Sequence, residues 1–195
     1  MSKSATATDM SGIVAAVMRR SDMADKIKNA VQQADQVDFM GFNLRHPWLT
    51  NNGLFEDLLD DDKIRTFRLL LADVSYEEAL KRRAKIEGGT LEDRMIIDGN
   101  EALIKLAKFI HPKQANTITV RILDPSYLYC SIIRADNFMY VTTYLALHSG
   151  NNSPTFAIKK TAAKECAFNF YWRHYNRLWK DHAKPWTPPG YKPAN

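Results

Sequence analysis

The stretch Tyr127–Tyr144, YLYCSIIRADNFMYVTTY, decides the fold. It reads as two strands joined by a short polar turn at Ala135-Asp136-Asn137. On the first strand Tyr129, Ser131 and Ile133 share one face, and Cys130, Ile132 and Arg134 share the other. The second strand, Phe138–Leu145, is rich in aromatic and β-branched side chains, as strands are.

Working outward, Thr117–Leu123 (TITVRIL) is a β-branched strand that Asp124-Pro125 turns into this hairpin. Pro154–Lys160 (PTFAIKK) reads as an edge or terminal strand beyond it. Upstream, Val37–Leu44 (VDFMGFNL) and Thr66–Ala72 (TFRLLLA) read as buried strands. Tyr76–Ile86 is expected to be helical, closed by Gly88-Gly89, with Thr90 available to cap the next helix. Leu91–Phe109 then reads as a long amphipathic helix with a break at Gly99, and a short helix is expected around Leu54–Leu59. At the start of the chain, Asp9 is an N-cap candidate, and Met10, Ile13, Val14 and Val17 follow at helical spacing. A second stripe of Met23, Ile27, Ala30, Val31 and Ala34 marks another helix. Thr161–His182 is a helix with an aromatic stripe of Phe168, Trp172, Tyr175 and Trp179, beside a basic stripe of Arg173, Arg177, Lys180 and Lys184. This is an α/β protein, a mixed β-sheet flanked by helices with long helices at both ends. Residues 1–8 are expected to be a disordered tail, 9–184 a single domain, and 185–195 a proline-rich tail lying extended.

With 195 residues and 45% hydrophobic content the chain can bury a full core in one domain. The net charge of +5 permits an anionic partner without demanding one. Cys130 and Cys166 fit no metal-ligand spacing, which suits two reduced thiols in a cytoplasmic protein. The N-terminus lacks the apolar core of a signal peptide. Asn137–Ile158 contains no Asp, Glu, Lys or Arg, but Asn151-Asn152-Ser153-Pro154 within it rules out a membrane span. Asp60-Asp61-Asp62 lacks the offsets of a calcium loop, so no metal site and no cofactor are expected.

The residues offer four candidate groupings. In the hairpin, Tyr129, Ser131, Asp136 and Thr142 could line a cleft, with Arg134 as a bidentate anion hook if its strand bulges inward. Arg45 and His46 follow a strand, where α/β folds place ligand-binding loops. His46, Asp136 and His148 would have to converge for hydrolysis of a nucleotide phosphodiester or glycosidic bond. The basic stripe Arg173, Arg177, Lys180 and Lys184 is the nucleic-acid alternative, through phosphate contacts. No glycine-rich phosphate loop or nucleophile elbow is present.

Tyr129-x-Ser131, followed after four residues by Asp136, has the register of the His-x-Lys-x4-Asp motif, and the chain resembles the phospholipase D-like superfamily. Thr142-Thr143-Tyr144 falls where that family carries its small-polar segment. Leu128-Tyr129-Cys130-Ser131-Ile132, the acidic turn and Ser153-Pro154-Thr155-Phe156 are similar to a degenerate branch attached to bacterial regulators. The resemblance covers roughly residues 25–181. It implies lost catalysis, because tyrosine replaces the histidine nucleophile and serine the phosphate-holding lysine. It also implies a regulatory sensor for a small phosphorylated or nucleotide-like ligand. With one motif copy where active sites combine two, it further implies a homodimer.

Overall fold

The computed structural model describes residues 11–43, 65–88, 93–110 and 118–189. The strands are β1 (Ile13–Val17), β2 (Gln36–Gly41), β3 (Thr66–Ala72), β4 (Ile118–Leu123), β5 (Cys130–Ala135), β6 (Phe138–Thr143), β7 (Thr155–Lys159) and β8 (Lys184–Trp186). The helices are α1 (Ala24–Gln33), α2 (Glu77–Ile86), α3 (Arg94–Phe109) and α4 (Ala167–Arg177). The strands form one mixed sheet of eight, in the order β1-β7-β6-β5-β2-β3-β4-β8. β2, β3 and β4 run parallel, and every other neighbour pairs antiparallel.

Alternation divides the sheet into two buried faces. Val37, Phe39, Phe67, Leu69, Val120 and Ile133 meet Met23, Ile27 and Val31 from the α1 side and Leu103 and Leu106 of α3. Met40, Leu70, Leu123, Ile132 and Val141 on the opposite face meet Leu80 of α2 and Phe168 and Tyr175 of α4. Apolar side chains on both surfaces explain why the central strands read as near-continuous hydrophobic runs. The turn between β5 and β6 is set by Asp136, whose φ of 49° lies in the left-handed region that Asp tolerates.

Three expectations are corrected. Ile13–Val17 is an edge strand on β7, not part of a helix, and β7 (Thr155–Lys159) therefore lies inside the sheet between β1 and β6 and not at its edge. Gly12 sits at φ 76°, where a Cβ would meet the Lys159 carbonyl oxygen at 2.4 Å. That close approach brings the Gly12 carbonyl to the Lys159 N–H at 2.7 Å and steers the β-branched segment into the sheet. The third correction is that α3 runs unbroken through Gly99, where a Cβ would lie 2.7 Å from Val74 Cγ1. The glycine serves close packing there, not a break.

The sheet also continues into the tail. Lys184–Trp186 pairs with β4, Trp186 packs on the core, and Lys184 Nζ reaches the buried Asp73 Oδ2 at 2.6 Å. Burial alone would raise the Asp73 carboxyl, but bonds from Lys184 and from the Ser75 hydroxyl and N–H hold it below its usual range. The expected Leu54–Leu59 helix, Asp60-Asp61-Asp62 and Thr90 lie outside the described residues. No helix among the described residues is long and apolar enough to cross a membrane.

Candidate anion-binding site

The sheet changes direction at β2. β3 and β4 extend to one side of it, while β5, β6, β7 and β1 extend to the other. Ligands of open α/β sheets usually sit outside the carboxyl ends of the strands, and the Gly41 end of β2 is such a position. Phe42 follows β2 directly, and Tyr144, which follows β6, packs against it with ring centroids 5.0 Å apart. The Tyr144 hydroxyl is hydrogen-bonded to the Phe42 backbone. A Cβ on Gly41 would come within 3.2 Å of that hydroxyl and 3.0 Å of the Phe39 ring, so the glycine makes room for the phenol.

Two guanidinium groups converge on this aromatic pair. Arg83 of α2 lies over the Tyr144 ring at 4.9 Å and the Phe42 ring at 5.4 Å. Its Nη2 and Nε contact Glu87 Oε1 at 2.9 and 3.0 Å. Arg20 donates from Nη2 to Asn151 Oδ1. Gly150 lies between Arg20 and Tyr144, since a Cβ there would be 3.9 Å from Arg20 Nη1 and 3.6 Å from Tyr144 Cε1.

Electrostatics define what the cluster can do. Burial pushes the Tyr144 hydroxyl up to about 12 although Arg20 opposes the shift, so at neutral pH the phenol keeps its proton. Burial also lowers Arg20 from its ordinary value and raises Glu87, even with Arg83 beside the carboxyl. Planar guanidinium forks in a partly desolvated position are suited to bidentate binding of phosphate or carboxylate. Among the described residues the cluster holds no ready nucleophile. Cys130, on the adjoining strand, is pushed up to about 12 by burial, so its thiol stays protonated. Among the described residues no group of three metal-ligating side chains comes together.

The hairpin residues do not gather into one cleft. Tyr129 precedes β5 and is 73% exposed, while Ser131 and Thr142 face each other across β5 and β6, buried in the sheet. Thr142 Oγ1 lies 2.8 Å from Thr155 Oγ1, an internal pair. Asp136 sits at the far end of β5, a strand length of roughly 20 Å away at about 3.3 Å per residue. Its carboxylate accepts from the backbone N–H groups of Asp35 and Gln36 at 3.1 and 2.9 Å, tying the hairpin turn to the start of β2. His148 follows β6 at the opposite end of the sheet from Asp136, so the two cannot share a catalytic centre. Arg45 and His46 lie outside the described residues.

Arg134 points away from Tyr129 and Ser131, as strict alternation requires, and no bulge turns it inward. It joins a second constellation beneath α4. Asp38 of β2 stands in register with Arg134 of β5 on one side and Arg68 of β3 on the other. Its Oδ1 accepts from Arg68 Nε and its Oδ2 from Arg134 Nη1, each at 2.5 Å. Arg134 also donates to the Asp136 carbonyl at 2.8 Å. Above this row Trp172, Tyr175 and Trp179 stack at 5.6 and 5.9 Å, with Arg68 near all three rings and Arg134 4.1 Å from Trp172. Past α4 the helix widens into a π turn over Leu178–His182, and Arg121 Nη1 meets the Trp179 carbonyl at 2.5 Å. The aromatic stripe and the inward arginines therefore dock the C-terminal helix on the sheet.

The basic stripe is largely compensated within the chain. Arg173 pairs with Glu165 at 3.0 Å, Arg177 with Asp181 at 4.0 Å, and Lys184 with Asp73. Lys180 is exposed and makes no ion pair among the described residues. A separate open depression of about 590 Å³ at the ends of β3 and β4 is lined by Ser75, Tyr76, Glu77, Glu78, Arg82 and Asp124 among others, a set too acidic to favour an anion.

No family model matches the chain, and no curated protein matches it. Among solved structures it is similar to TrmBL2, an archaeal chromatin protein whose structure shows a novel mode of DNA binding. The TM-score is 0.54 at 15% identity, and the match covers 88% of this chain and 54% of that one. The likeness is one of fold, and this chain spans about half of that protein's length.

Proposed function

We propose that this chain is a non-catalytic, phospholipase D-like binding module that senses a small phosphorylated or nucleotide-like anion at the carboxyl end of β2. One observation carries the reading: Arg20, Arg83 and a protonated Tyr144 are gathered at the point where the sheet changes direction. The exposed Tyr129 and buried Ser131 that stand at the motif positions support binding without turnover. A homodimer rests on the family resemblance alone.

Inorganic pyrophosphate is the simplest probe. At a hundredfold excess over its dissociation constant it should stabilise the fold by about 2.7 kcal/mol, read as a rise in melting temperature. Arg83→Met should reduce that rise by at least half without abolishing folding. An equal rise in wild type and Arg83→Met would place the anion elsewhere and overturn the assignment.

A nucleic-acid-binding reading is favoured by a different observation, the fold likeness to a DNA-binding protein. The internal pairing of Arg173, Arg177 and Lys184 counts against the C-terminal stripe as its interface. DNA affinity falling steeply with salt, and weakened by charge reversal at Lys180, would favour it over the small-anion reading.

A further inference from the structure

The guanidinium fork of Arg83 is occupied from within its own helix, and the fit is incomplete. Nε donates to Glu87 Oε1 at 3.0 Å, and Nη2 lies 2.9 Å from the same oxygen. Both contacts fall on one carboxylate oxygen, so the pair lacks the two parallel bonds by which a guanidinium grips a two-oxygen anion. Nη2 is buried, and despite that short contact it has no aligned hydrogen-bond acceptor among the described residues. Buried donors are rarely left in this state.

Glu87 is also poorly placed for a carboxylate. It caps the C-terminus of α2, where the negative end of the helix dipole disfavours an anion. Its side chain is 14% exposed and that of Arg83 16%, so the pair lacks the full hydration of a surface i,i+4 pair. Burial raises the Glu87 carboxyl even with the guanidinium beside it. Exposed Gly88 follows, so a change of rotamer can take the carboxylate to water. We propose that Glu87 is a resident competitor that sets the specificity of the anion site, holding the Arg83 fork until a terminal phosphate group displaces it. This rests on the reading of that site as an anion site. A terminal phosphate brings about two negative charges at neutral pH, and an oxygen for each of Nε and Nη2. A phosphodiester or monocarboxylate brings one charge, against a carboxylate of equal charge tethered beside the fork. The site therefore selects terminal phosphates over diesters. A glutamate that only held Arg83 in position would act in the opposite sense, because its loss would loosen the guanidinium and weaken binding.

Calorimetric titration of the full chain with inorganic pyrophosphate provides the test, on wild type and on Glu87→Gln. Glutamine keeps an acceptor for Arg83 Nε and removes the charge. Pyrophosphate should bind Glu87→Gln at least about tenfold more tightly than wild type, the effect of removing a like charge from beside the ligand. Dimethyl phosphate, a monoanion with two free oxygens, should give no binding heat with wild type at concentrations where pyrophosphate saturates. Equal or weaker pyrophosphate binding by Glu87→Gln would overturn the proposal and leave the anion site standing, with Glu87 as a bystander or a support for Arg83. Dimethyl phosphate binding wild type as tightly as pyrophosphate would overturn the selectivity for terminal phosphates. No pyrophosphate binding by either protein would remove the anion site itself, and the proposal with it.

Discussion

Replacing Asp38 by alanine is expected to destabilise the fold by about 3–5 kcal/mol, the range for removing one member of a buried ion pair. The carboxylate sits between two guanidinium groups presented in register by the neighbouring strands, and accepts one 2.5 Å bond from each. Without it, Arg68 and Arg134 remain largely enclosed by the sheet and the Trp172–Tyr175–Trp179 stack with no counter-charge between them. Urea unfolding reads the loss directly as a lower midpoint at unchanged slope. A change below about 1 kcal/mol would mean that Asp38 is compensated from water, as exposed pairs are, and would remove its role in docking α4.

Tyr175→Ala is expected to cost a similar amount, about 3–5 kcal/mol, by opening a cavity where the largest fully buried side chain now sits. Tyr175→Phe isolates the hydroxyl, which donates to the Arg68 carbonyl at 3.0 Å, and should cost about 1 kcal/mol. Both Asp38 and Tyr175 act on Arg68, so the double substitution should cost less than the sum of the singles. Strict additivity in that cycle would show that the ion pair and the aromatic stack are independent.

The central part of this fold was legible because its signals are local. Thr66–Ala72 is a strand over the expected residues, and the YLYCSIIRADNFMYVTTY hairpin forms with the expected faces. Periodicity failed at Ile13–Val17, where short apolar spacing fits a helix as well as a strand. The deciding contact is with Lys159, far away in sequence, through the left-handed Gly12.

The candidate site was much less legible. Arg83 was visible only as one cation in a basic helical run, and nothing local distinguishes the residue that turns inward onto Tyr144. Arg20 carries no signal at all, because its position is set by the turn after an edge strand that the pattern did not reveal. The motif spacing from Tyr129 to Asp136 directed attention to one strand, yet an extended strand places its two ends far apart. Arg134 shows the reverse case. Alternation alone puts it opposite Ser131, and Asp38 gives it a partner there.

Native mass spectrometry of the purified full chain tests the central claim most directly. The account predicts a bound small molecule that carries phosphate or carboxylate, or, for a chain isolated empty, a retained adduct on adding inorganic pyrophosphate. Either species should be lost from the folded Arg20→Met, Arg83→Met double variant. Retention of the same adduct by that variant, or a wild-type chain that stays bare through a pyrophosphate titration, would contradict an anion site at the end of β2.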